Sequence, residues 1–131
     1  MPRRAVYDTR FFIDLFYSKN QSTLTQLKEE LRLTPRRLVS VVTLYETYRL
    51  NQSREGKTVA TLRSETIQRD FSVIPLDYEL SIHAAQIAEQ HRIPLADSVI
   101  AATALHHNAP VVTDDPHFAL IEDVKTRWPI R

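Results

Sequence analysis

Ala109-Pro110-Val111-Val112-Thr113-Asp114-Asp115-Pro116-His117-Phe118 is a short apolar β-type run that ends in a hydroxyl and two carboxylates. Such a strand aims oxygen ligands at one end of a sheet, and in an open α/β fold sites form outside that end. Three other acids stand in comparable places. Asp8 closes the run Ala5-Val6-Tyr7, Glu46 follows Val41-Val42-Thr43-Leu44-Tyr45, and Asp97 opens a segment after Pro94. A site made only of carboxylates suits a hard divalent cation, and through it phosphate chemistry.

Outward from that segment, short β-branched runs alternate with stretches of helical period. Residues 4–8 read as a first strand. Phe11, Phe12, Leu15 and Phe16 then recur at helical spacing, with Thr9 as the expected cap. After the break at Asn20-Gln21-Ser22-Thr23, Leu24, Leu27, Leu31 and Leu33 mark a second helix that stops before Pro35. Residues 38–42 read as a strand that leads into a helix through Leu44, Tyr45, Tyr48 and Leu50. Residues 51–70 suggest a helix or helical hairpin around Gly56, with Val59, Leu62 and Ile67 as its apolar stripe. An extended segment at 71–76 precedes a helix over 78–92 that buries Leu80, Ile82, Ala85, Ile87 and Ala88. An alanine-rich helix follows Pro94, then a strand at 111–113, a helical turn at 116–120 and an edge strand at 124–125. This alternation implies βαβ crossovers. The expected fold class is α/β, a three-layer α/β/α sandwich with a short central parallel sheet, as one domain over residues 1–131.

Composition narrows the chemistry. No apolar run approaches the roughly 20 residues that span a bilayer, and the N-terminus enters a strand without a signal-peptide core. The chain has no cysteine, which excludes disulfides, thiolate zinc sites and cysteine nucleophiles, and a cytoplasmic location fits. Gly56 is the only glycine, so neither a Walker loop nor a dinucleotide fingerprint can be built. Thirteen of the seventeen basic residues are arginine, the side chain best shaped for bidentate phosphate contact. Thirteen Lys/Arg lie in residues 1–70 and four in 71–131. As a group, Arg32, Arg36, Arg37, Arg49, Arg54, Arg63 and Arg69 could rim a site for a polyanion, although solvated helix faces explain any one of them.

Four features together resemble the PIN-domain ribonuclease family, VapC-type toxin branch. They are Tyr7-Asp8-Thr9 closing the first strand, Glu46 on the helix after a β-branched run, Asp97 leading the alanine-rich helix, and Val111 to Phe118 with its Thr-x-Asp-x-x-Phe spacing. The resemblance runs end to end and in order. It implies that Asp8, Glu46, Asp97 and Asp115 form an acidic pocket for one or two Mg²⁺ or Mn²⁺ ions. Asp8 and Asp97 are then the principal metal ligands, and Glu46 and Asp115 complete the shell or orient water. Thr113 can hydrogen-bond a carboxylate or water. Arg10 follows Asp8-Thr9 where the family often has a small residue or an amide, and it either contacts substrate phosphate or points to solvent. Asp114 adds a second carboxylate; spacing to Phe118 favours Asp115 as the ligand. His117 stands beside the acids and could touch substrate.

The activity implied is metal-dependent endoribonuclease cleavage of RNA, by the toxin of a toxin–antitoxin pair. The same resemblance implies a homodimer and an antitoxin partner, with no membrane association. A PIN-like scaffold that binds partners without turnover is the alternative. A phospho-accepting receiver domain also clusters carboxylates on a parallel sheet, but its acidic pair belongs after the first strand and a lysine after a late one. Here the pair comes late and no lysine follows at a matching place. Phe11, Phe12 and Phe16 read as core or subunit interface rather than a base-stacking platform.

Overall fold

Residues 3–131 are described by a computed structural model. The elements run β1 (Arg4–Tyr7), α1 (Thr9–Tyr17), α2 (Gln21–Leu33), β2 (Arg36–Ser40), α3 (Val41–Glu55), α4 (Lys57–Asp70), β3 (Ser72–Ile74), α5 (Tyr78–His91), α6 (Leu95–His106), β4 (Val111–Val112), a 3₁₀ turn (Pro116–Leu120) and β5 (Thr126–Arg127). The strands form one sheet in the order β3-β2-β1-β4-β5, and every pairing is parallel. Parallel neighbours cannot be joined by tight turns, so each connection crosses a face of the sheet and leaves helices there.

Alternation along the strands sends side chains to two cores. Val6 and Val111 face a core filled by Leu80, Ala84 and Ile87 of α5, most of α6, and Phe118. Ala5, Tyr7 and Val112 face the other, filled by Phe11, Phe12, Leu27, Ile67 and Phe71. This is the expected three-layer α/β/α arrangement. The aromatics are core: the Tyr7 and Phe11 rings lie 4.7 Å apart, and Phe12 meets Phe71 edge-on at 5.1 Å.

Several boundaries move for local reasons. The second strand ends at Ser40, two residues early, because the Ser40 hydroxyl accepts from the Val42 amide at 3.1 Å and starts α3. Asp8, not Thr9, caps α1. The buried stripe of α5 is Leu80, Ala84 and Ile87, at i, i+4 and i+7, while Ile82 and Ala85 are exposed. In α4 Leu62 is exposed and Ala60 is buried in its place; Leu33 of α2 is likewise exposed. The edge strand falls at Thr126–Arg127, beside β4, rather than at residues 124–125. The hairpin around Gly56 is present: its φ of +89° suits glycine, and the residue ends α3 and begins α4.

One buried acid has no counterpart in the sequence reading. Glu30 sits in the helical stripe between Leu27 and Leu31, yet it is buried like Leu27 and more deeply than Leu31. Its carboxylate accepts from the Tyr7 hydroxyl (2.7 Å), the Thr34 hydroxyl (2.7 Å) and both Nε and Nη2 of Arg127 (2.8 and 3.0 Å). Burial pushes this carboxyl up, but the bonds from Arg127, Tyr7 and Thr34 together outweigh it and hold Glu30 below the usual range. The network ties β1, α2 and the edge strand β5 together. Glu30→Ala removes the acceptor that Arg127, Tyr7 and Thr34 share and leaves the Arg127 guanidinium with only the Thr34 hydroxyl, so urea unfolding should show a loss of about 2–3 kcal/mol. Tyr7→Phe should cost about 1 kcal/mol. A Glu30→Ala variant as stable as the parent protein would show that the network adds no stability.

Candidate functional site

From β1 the chain builds outward on one side through β2 and β3, then returns to the other side of β1 with β4. The C-terminal ends of β1 and β4 are therefore a topological switch point, where a crevice opens above the sheet. Val6 pairs with Val111 and Tyr7 with Val112. The next residues along the two strands, Asp8 and Thr113, meet at the mouth of that crevice.

A chain of hydrogen bonds runs from there through all four acids. Asp8 Oδ2 accepts from the Thr113 hydroxyl at 2.6 Å, and Oδ1 from the Thr9 amide at 2.6 Å. Thr113 Oγ1 in turn accepts from the Asp115 amide at 3.0 Å. Asp115 caps the 3₁₀ turn, its Oδ1 accepting from the His117 amide at 2.9 Å. His117 Nδ1 stands 3.1 Å from that same oxygen and 2.7 Å from Asp97 Oδ2. On the other side of Asp8, the Thr9 hydroxyl donates to Glu46 Oε1 at 2.7 Å. Asp97 is delivered by the first turn of α6 and Glu46 by α3.

Thr113 thus holds a carboxylate, as its position suggested. Thr9 departs from the sequence reading: it is a bridge to Glu46. His117 is more central than expected, because its imidazole lies between two of the acids. The signal for that was present in Asp115-Pro116-His117, where a capping Asp and a proline at the first turn position fold the histidine back. Asp114 is not part of the gathered cluster and forms an exposed ion pair with Arg10. The other arginines do not rim the crevice as a group. Arg36 and Arg37 open β2 at the opposite end of the sheet, and Arg37 donates to the carbonyls of Leu31 in α2 and of Thr34, which caps it. Arg63 bonds Asn51 and Tyr17, Arg54 covers the Tyr17 ring, and Arg32 and Arg69 pair with Glu29 and Asp70.

Burial and like charge shape the ionisation of this cluster. Burial pushes Asp8 up to about 6, against the bonds from Thr113 and Thr9, and the charges of Asp97 and Asp115 add to the rise. Burial likewise raises Asp97 to about 6, opposed by His117 and reinforced by Asp115. His117 is raised by its bond to Asp97 and by the charges of Asp115 and Asp97. Ligand atoms of Asp97, Asp115 and His117 all lie within 4.8 Å of one another. The donor set is anionic, oxygen-rich and tightly gathered, and a divalent cation fits it.

The pH dependence of the metal-free protein has a definite sign. Asp8 and Asp97 hold protons more tightly folded, at about 6, than unfolded, at about 3.9, so their ionisation weighs against the folded state as pH rises from about 4 to 6. His117, also raised, contributes stability below about pH 6.5 that is lost as pH rises through its folded value. All three act in one direction. In chelator, thermal unfolding should occur at lower temperature at pH 7.5 than at pH 5. Asp8→Asn should stabilise the metal-free protein at pH 7.5 by about 1–2 kcal/mol, with the difference vanishing near pH 4. An Asp8→Asn variant no more stable than the parent at pH 7.5 would contradict this account.

Residues 5–124 match the PIN domain. Ribonuclease VapC4 of Mycobacterium tuberculosis is 31% identical over 136 residues, spanning 94% of this chain and 95% of that protein. Among solved structures, VapBC-1 from nontypeable Haemophilus influenzae superposes with a TM-score of 0.77 at 19% identity, covering 95% of this chain and 97% of the other. A toxin–antitoxin complex from Klebsiella pneumoniae gives a TM-score of 0.76 at 22% identity, covering 97% and 98%. Those two likenesses concern the fold; the match over residues 5–124 and the VapC4 relationship reach further. The chain belongs to the PIN-domain family, in its VapC-type branch.

Proposed function

We propose that this protein is an endoribonuclease that hydrolyses RNA with a divalent cation, Mg²⁺ or Mn²⁺, and serves as the toxin of a toxin–antitoxin pair. The observation that carries this reading is the hydrogen-bonded run of four acids at the switch point of a PIN fold. The name of its relative VapC4 as a ribonuclease, and of its structural neighbours as toxin–antitoxin complexes, supports the reading.

Asp8, Asp97 and Asp115 hold the cation, and Glu46 completes the acidic wall from α3. When bound, the cation supplies a water of lowered pKa and offsets charge that builds on the phosphate during in-line displacement. The chain's own residues prepare that chemistry. Thr113 fixes the Asp8 carboxylate and the Asp115 backbone in one register, so the two ligands cannot drift apart. Thr9 sets the orientation of Glu46, whose carboxylate can accept a proton from the attacking water. Arg10, exposed at the start of α1, can exchange Asp114 for a substrate phosphate. His117 lies 45% exposed at the same mouth, where it can also meet substrate.

No helix among the described residues is long and apolar enough to cross a membrane, which accords with action on RNA in the cytoplasm. A homodimer and an antitoxin that covers the acids complete the proposal. Cleavage of a labelled single-stranded RNA should require Mg²⁺ or Mn²⁺ and stop in chelator. Asp97→Asn should lower kcat/KM about 100-fold or more while leaving the fold intact. Full activity in Asp97→Asn would defeat the site assignment. Correctly folded protein that neither cleaves RNA nor binds either ion would favour the scaffold reading instead.

A further inference from the structure

Resting on the acidic metal centre proposed above, we propose that His117 is itself a ligand of the cation through Nδ1, and that this nitrogen makes the centre prefer transition ions such as Mn²⁺ and Co²⁺ over Mg²⁺.

The geometry is that of a ligand set. Around an octahedral cation with bonds of about 2.1 Å, neighbouring donors at right angles lie about 3 Å apart. A single atom, His117 Nδ1, stands 2.7 Å from Asp97 Oδ2 and 3.1 Å from Asp115 Oδ1. Those are the spacings of adjacent corners on one such polyhedron.

The ring is also held in place. Pro116 restricts the backbone entering the turn, and the His117 amide is bonded to Asp115 Oδ1. Phe118, next in the chain, is completely buried and anchors the turn to the α6 side of the sheet. The imidazole therefore does not have to be recruited from solvent. Its Nε2 has no partner among the described residues, which leaves that edge free for water or substrate.

Donor chemistry supplies the preference. Mg²⁺ takes oxygen ligands and gives up its waters reluctantly. Later first-row ions gain more from an imidazole nitrogen, in an order that rises from Mn²⁺ through Co²⁺. A wholly carboxylate pocket would lack that extra discrimination.

The test uses purified, metal-free full-length protein at pH 8, with His117→Ala beside the parent and Asp97→Asn. Calorimetric titration with Co²⁺ and, separately, Mg²⁺ should show that His117→Ala weakens Co²⁺ binding about tenfold or more. Mg²⁺ binding should change less than about twofold, so the preference collapses. Pulsed electron paramagnetic resonance of the Mn²⁺-loaded parent should show modulation from a directly bound ¹⁴N that is absent in the variant. Asp97→Asn should weaken both ions. An unchanged Co²⁺-to-Mg²⁺ ratio in His117→Ala, or no nitrogen signal in the parent, overturns the inference while leaving the acidic centre standing. Tighter binding of both ions by the variant also overturns it, since that is what a displaced imidazolium counter-ion would give. Binding of neither ion by the parent overturns the metal-centre reading itself, and this inference with it.

Discussion

The Thr113 hydroxyl is the joint on which the site depends. It donates to Asp8 at the end of β1 and accepts from the backbone of Asp115 beyond β4, so one oxygen couples the two central strand ends. Parallel pairing of β1 with β4 brings those ends side by side, and the hydroxyl sets their acids in register. From that joint the chain of bonds extends one way to His117 and Asp97 and the other way to Thr9 and Glu46. A strand slip by one residue would turn Asp8 into the sheet and break the whole series.

The molecule treats its buried acids in two opposite ways. Glu30 is given five donors, among them the paired nitrogens of Arg127, and remains ionised well inside the fold. Asp8 and Asp97 are buried beside other carboxylates with fewer donors, and both rise to about 6. The first arrangement serves cohesion, since it joins α2 to both the centre and the edge of the sheet. The second holds an unfavourable charge density that a bound cation would relieve, so metal affinity would be drawn from stability the metal-free protein gives up. The two lie in different parts of the fold, so one can be satisfied without relaxing the other.

Much of this was legible in the chain. The β-branched runs and helical periods located every helix and four of the five strands, the edge strand at Thr126–Arg127 being the exception, and the spacing of Asp8, Glu46, Asp97 and the 111–118 segment picked out the acids that the fold brings together. Boundaries were less legible. Val41 and Val42 look like strand residues but are helical, because the hydroxyl of Ser40 caps a helix at that point. Ile82 and Leu62 look like core but face outward, because burial on α5 and α4 follows the facing sheet rather than hydrophobicity alone.

The sequence by itself determined the fold class and singled out the acids that gather at the switch point, since periodicity and residue type are properties of the chain read in order. Tertiary structure alone decided what each side chain touches. That Thr9 serves Glu46, that Glu30 belongs to Arg127 across 97 positions, and that His117 reaches Asp97 all depend on contacts between separate segments of the chain. Such contacts are set by the order of parallel strands and the direction in which each helix end points. No local pattern of residues encodes those.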